Sequence, residues 1–206
     1  MKFRTFPPLL FLALPMACVH KKTGPEYVKE VKSKAEYVQE VSQGGGIVKC
    51  QYLPNTYLAL METQSVEGPQ NKKAVFEEAR NKFSMSSYFS LTLEMEDGSN
   101  VLLKGVRDRG DYASRLNFIS SGMDQCFFAI RENGDTVRSN LYEYQRSYGN
   151  SPNATMLFAF PRSETVDNGE SKLEFHYRDR LLGIRQVKRL VFANRELRED
   201  KVDITF

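Results

Sequence analysis

Histidine occurs twice in 206 residues and cysteine three times, which leaves little of the usual equipment for metal binding or nucleophilic catalysis. His20 and His176 stand far apart, and no spacing of histidine and cysteine resembles a zinc site. Gly-x-Ser-x-Gly is absent, and no glycine-rich phosphate loop follows a strand-like run. No cofactor is expected. Long apolar runs are missing too: Phe6–Met16 falls well short of the about 20 residues that cross a bilayer as a helix, and Pro7 and Pro8 interrupt it. Nor is there a strong charge of either sign. Lys and Arg number 29 against 26 Asp and Glu, and without Lys2 and Arg4 the balance is 27 against 26. So small a basic excess gives no reason to expect a nucleic-acid partner.

What the chain does have is an N-terminus ordered like a secretory signal, with Lys2 and Arg4 ahead of the apolar Phe6–Met16. An ordinary signal peptidase wants small residues one and three places before its cut; Ala17 satisfies this and Pro15 does not. Leu14-Pro15-Met16-Ala17-Cys18 instead resembles the bacterial lipoprotein signal, departing from it where Pro15 replaces the usual leucine. The resemblance implies that residues 1–17 are removed and that Cys18 carries acyl chains. Each buried methylene contributes about 0.8 kcal/mol, so several chains on one residue hold a protein to a membrane durably. It also implies an outer-membrane location, because Val19 stands where an aspartate retains some bacterial lipoproteins in the inner membrane. A soluble secreted protein and an uncleaved anchor are the alternatives.

The remaining roughly 190 residues suit one domain. Glu26-Tyr-Val-Lys-Glu-Val returns as Glu36-Tyr-Val-Gln-Glu-Val, and Val28, Val31, Ala35, Val38 and Val41 fall on one stripe if the segment is helical. This predicts an amphipathic helix ended by Gly44–Gly46, so that residues 18–46 form a lipidated N-terminus, linker and helix ahead of a domain at 47–206. From Ile47 the pattern favours strands: Ile47–Leu53, Tyr57–Glu62, a hairpin signature where the alternating Phe89–Met95 meets Asp97-Gly98, and a second hairpin at Asn133-Gly134. Thr155–Phe160 and a pair of strands around Arg180–Gly183 follow. Phe76, Ala79 and Phe83 predict a second helix, with Asn71 as its N-cap. The expected fold is mainly β, an antiparallel β-sandwich with about two helices, one of them N-terminal; a partly closed β-barrel is the alternative.

Acylation of Cys18 would leave Cys50 and Cys126, an even pair that permits a disulfide in an exported chain and equally suits two buried thiols. Tyr142, Tyr144 and Tyr148 share a face if one strand holds all three, and an aromatic face is either core or binding surface. Arg178, Arg180 and Arg185, with Lys188 and Arg189, form a basic cluster suited to an acidic partner or a solvated surface. His176 shares a strand face with Glu174 and Arg178 and has no identifiable nucleophile to serve. Asp97–Asn100 and Glu132–Asp135 read as turns rather than calcium loops. Arg109-Gly110-Asp111 lies in a charged segment read as a loop.

These features predict a non-enzymatic envelope lipoprotein, held to the membrane through its lipid, that binds another envelope protein as an assembly or stabilising subunit. A surface-displayed ligand or glycan binder is the second reading, and a hydrolase using scattered carboxylates the third.

Overall fold

The computed structural model describes residues 20–146, 151–165, 172–178, 180–181, 187–193, 197 and 202–206. Cys18, Tyr148 and Arg185 lie outside them. The fold is mixed α/β, with 35% helix, 39% strand, and five helices and three sheets among the described residues. It is therefore not a mainly β protein with two helices, and the correction comes chiefly from three segments.

The first is the stripe of valines. β1 (His20–Thr23) leads into α1 (Gly24–Ser33), which starts as a capping box: the Thr23 N–H donates to the Glu26 carboxylate at 2.9 Å, and Pro25 occupies the first turn. The helix ends at Ser33, well before Val41. After a 3₁₀ turn at Ala35–Tyr37 the chain becomes β2 (Val38–Gln43), because Gly44 and Gly45, at φ 61° and 79°, form a tight turn that pairs it with β3 (Gly46–Leu53). Tyr27, Val31 and Tyr37 lie in the same core cluster as Val48 and Cys50.

The second is Tyr57–Glu62, which is not a strand but most of α2 (Asn55–Glu62). Thr56, Ala59, Leu60 and Thr63 are buried, at helical rather than alternating intervals. The third is the charged segment after Gly105, which forms α4 (Arg109–Ser121), capped where the Asp111 N–H donates to Asp108 Oδ1 at 2.9 Å. Between α2 and α4, α3 (Pro69–Phe83) begins ahead of the expected Asn71, with Pro69 in its first turn, and buries Phe76 and Ala79. β4 (Ser86–Met95) buries Phe89, Leu91, Leu93 and Met95, but the turn at Asp97-Gly98 leads into further turns, not a returning strand.

The remaining strands are β5 (Phe127–Ile130), β6 (Thr136–Val137), β7 (Leu141–Gln145), β8 (Ala154–Pro161), β9 (Lys172–Arg178), β10 (Val187–Ala193) and β11 (Val202–Thr205), with the short α5 (Arg162–Thr165) after β8. The hairpin at Asn133-Gly134 joins β5 to β6, and β9 pairs with β10 across the loop containing Arg180. Two antiparallel sheets result, ordered β2-β3-β4-β8-β7 and β10-β9-β5-β6, while β1 and β11 form a separate parallel pair.

The two large sheets meet through phenylalanine. Phe89 of β4 lies 4.4 Å, centroid to centroid, from Phe175 of β9, and Phe127 of β5 stacks on Phe175 at 5.1 Å and packs against Phe158 of β8 at 4.8 Å. Burying each such ring contributes about 2–3 kcal/mol, with a further gain of about 0.5–1.5 kcal/mol per well-oriented ring pair.

Candidate functional site

Two regions gather chemistry that the core does not need. One is the outer face of the four-stranded sheet, where the pairing register sets Phe128 of β5 beside His176 of β9, and His176 beside Arg189 of β10. The His176 ring stacks on Phe128 at 5.7 Å with an interplanar angle of 18°. The guanidinium groups of Arg138 and Arg178 lie 4.9 and 5.7 Å from the Phe128 centroid, both within cation–π range. Glu174, one pleat along β9, holds His176 Nε2 at 2.5 Å and accepts from Arg189 Nη2 at 2.6 Å. The single carboxylate thus orients an imidazole and an arginine, in a row whose other cations are Arg138 and Arg178.

No hydroxyl or thiol hydrogen-bonds to His176 among the described residues, and none of them form a cluster of three or more metal-ligating side chains. Phe128 is itself buried beneath these side chains, so the face presents arginine to solvent and suits docking of an acidic surface. It lacks the nucleophile-base contact of acyl-transfer chemistry.

The other region is a groove of about 880 Å³ between α1, the end of α2, the start of α3 and the end of β11. Tyr27 and Val31 turn α1 into the core, which leaves Val28, Lys29 and Lys32 on its flank. Pro25, Val28, Leu60 and Phe206 supply the apolar lining, while Lys29, Lys32 and Lys72 stand around it. Gly24 allows α1 to approach α2 closely, since a Cβ there would lie 3.2 Å from Leu60 Cδ2.

The residues singled out by sequence fall unevenly on these regions. Arg178 and Arg180 are exposed, and Arg178 belongs to the sheet face. Tyr142 and Tyr144 are half-buried on the inward side of β7, with Tyr142 packed on Phe158 at 5.1 Å. The Tyr142 hydroxyl is buried with no hydrogen-bond partner among the described residues, and burial pushes its phenol well above the ordinary range. The two tyrosines therefore serve the core edge and offer no open stacking platform.

Cys50 and Cys126 are buried as thiols with no disulfide in the structure, and burial pushes the Cys50 thiol far up. In the Arg109-Gly110-Asp111 turn, Asp111 accepts from Arg107 Nε at 2.9 Å, so its carboxylate closes a helix start. Asp97 accepts from Ser99 and Lys104, which hold it well below the usual carboxylate range, and Asn133 and Asp135 bond to each other. Both acidic turns are satisfied internally.

Sequence reasoning missed Phe128, Arg138 and the groove. Alternation along β5 and β9 marks which residues leave the core, but the row across strands needs the register. No protein-family model, curated protein or solved structure matches this chain.

Proposed function

We propose that this protein is a non-enzymatic bacterial envelope lipoprotein, tethered through acylated Cys18 to the outer membrane and docking on another envelope protein. What supports the reading is the lipoprotein-like run Leu14-Pro15-Met16-Ala17-Cys18, which ends two residues ahead of β1. β1 begins at His20, so only Val19 separates it from the cysteine of the lipoprotein-like signal. Two residues of chain span at most about 7 Å, which sets an acylated protein directly against the bilayer surface. Its partner then binds to a body with little freedom to move away.

The exposed Arg138, Arg178 and Arg189, set around His176 and over the buried Phe128 ring, support an acidic protein partner, since arginine side chains anchor interfaces. The glycan reading drew on Tyr142, Tyr144 and Tyr148, of which the first two are half-buried and the third lies outside the described residues.

The test is the intact mass of the protein extracted from membranes, before and after reduction. A chain that starts at Cys18 and carries acyl mass is expected, with no two-proton gain on reduction because Cys50 and Cys126 are thiols. An unmodified soluble chain would overturn the tether. For the docking face, Arg138→Glu with Arg178→Glu is expected to abolish co-purification of the partner after mild crosslinking while acylation persists; retained co-purification would remove this face from the reading.

A further inference from the structure

We infer that protonation of His176 switches the arginine face of the four-stranded sheet to tighter binding of its acidic partner, which rests on the docking reading above and adds its regulation. The ring stands between Phe128 of β5 and Arg189 of β10 in the pairing register. Its two nitrogens are held differently.

Glu174 Oε1 lies 2.5 Å from Nε2, and the other oxygen of the same carboxylate accepts from Arg189 Nη2 at 2.6 Å. An ionised carboxylate only accepts hydrogen bonds, so in the neutral ring the proton sits on Nε2 and Nδ1 carries a lone pair. Nδ1 makes no hydrogen bond among the described residues. An imidazole ordinarily gains its second proton between about pH 8 and about pH 5, whereas carboxylates and guanidinium groups ordinarily keep their charge across that interval. Acid therefore turns Nδ1 from a lone pair that repels a carboxylate into a donor that binds one, while Glu174 goes on holding Nε2.

The surroundings make the added charge count. Among the described residues, the charged groups around the ring are Glu174 and Arg178 on its own strand, Arg189 across on β10, and Arg138, which follows β6 and lies against the Phe128 ring. Beyond Glu174, Arg131, Glu132 and Lys172 border a recess. Three arginines against the one carboxylate of Glu174 leave the inner cluster at +2 with a neutral ring and +3 with a protonated one. The His176 and Glu174 side chains are only 19% and 20% exposed, so salt screens the new charge less than it would at an open surface.

The test measures binding of a fluorescent hexa-aspartate peptide to the full chain as purified from cells, at about pH 7.5 and about pH 5.5 and one ionic strength, where the probe stays ionised. Affinity is expected to rise about tenfold on acidification, because one charge-assisted hydrogen bond is worth roughly that factor. His176→Gln should bind with the weaker affinity at both pH values, and the permanently charged His176→Arg with the stronger one at both. A wild-type affinity that does not rise, a rise that survives His176→Gln, or weak binding by His176→Arg would each overturn the inference. Arg138→Glu with Arg178→Glu separates the switch from the docking face. Loss of binding in that variant beside a flat wild-type pH profile removes the switch and keeps the face; binding that the variant retains, or no binding by the wild type at either pH, removes both.

Discussion

Glu26–Val31 and Glu36–Val41 differ only in having Lys29 where the second has Gln39, yet the first lies within a helix and the second passes from a 3₁₀ turn into a strand. Both copies bury their tyrosine, and both set a lysine over its ring, Lys22 at 5.9 Å from Tyr27 and Lys34 at 4.8 Å from Tyr37. The side chains thus contribute the same anchor twice. The backbone outcome is decided by the flanks: Thr23-Gly24-Pro25 starts a helix before the first copy, and Gly44-Gly45 closes a hairpin after the second. Tertiary context overrides the intrinsic preference of a hexapeptide.

The shared anchor gives the largest expected effect. Tyr27→Ala and Tyr37→Ala should each destabilise the protein by about 3–5 kcal/mol, as large-to-small core substitutions of aromatic residues do, despite their different secondary structures. Urea unfolding checks this; if only one of the pair is costly, the anchors are not equivalent. Gly45→Ala comes next. Its added Cβ meets nothing within 4 Å, so the cost is that of a left-handed backbone alone, about 1–2 kcal/mol. Amide exchange is expected to accelerate in β2 and leave α1 protected, and equal loosening of both would break the contrast.

How much could be read beforehand follows the same division. Where alternation is strict, the strand was legible: β4 with its alternating Phe89–Met95, though not the turn after it, the β5–β6 hairpin, and β9, whose Leu173, Phe175 and Tyr177 are buried while Glu174, His176 and Arg178 face outward. α2 misled because apolar residues crowd both of its sides, although Leu58, Ala59, Leu60 and Met61 are good helix formers. α4 hid because it buries only Ile119 and shows almost no apolar stripe. Its signal was the cap at Asp108, three residues before Asp111. The groove was not legible at all, since Val28, Leu60, Lys72 and Phe206 come from four separate elements, and β1 pairs in parallel with a strand from the other end of the chain.

A smaller effect should separate the two copies by pH. Hydrogen bonds from the Thr23 N–H, then from its hydroxyl, hold the Glu26 carboxyl below its ordinary value of 4.5. A carboxyl lowered on folding stabilises the charged form, so its contribution is complete above 4.5 and is lost as pH falls through the folded value. Acidification should therefore fray the start of α1, whereas the turn at Gly44-Gly45 has no titrating group. Amide exchange across residues 24–30 is the measurement. Glu26→Gln should remove the difference, and a response persisting in that variant would assign it to another group.

The smallest effect tests the comparison most directly. Lys29→Gln makes the two hexapeptides identical, and Lys29 is exposed with no ion-pair partner among the described residues. If the hexapeptide itself chose its structure, the substitution would pull the first copy toward the conformation of the second. If the flanks choose, α1 remains a helix, β2 remains a strand, and stability moves by no more than about 0.5 kcal/mol, as for other exposed sites. Backbone chemical shifts for residues 26–31 distinguish these outcomes. Retained helical shifts would mean that one sequence holds two structures within the same folded chain, because the capping box before the first copy and the paired β3 beside the second satisfy backbone groups that the six residues alone leave open.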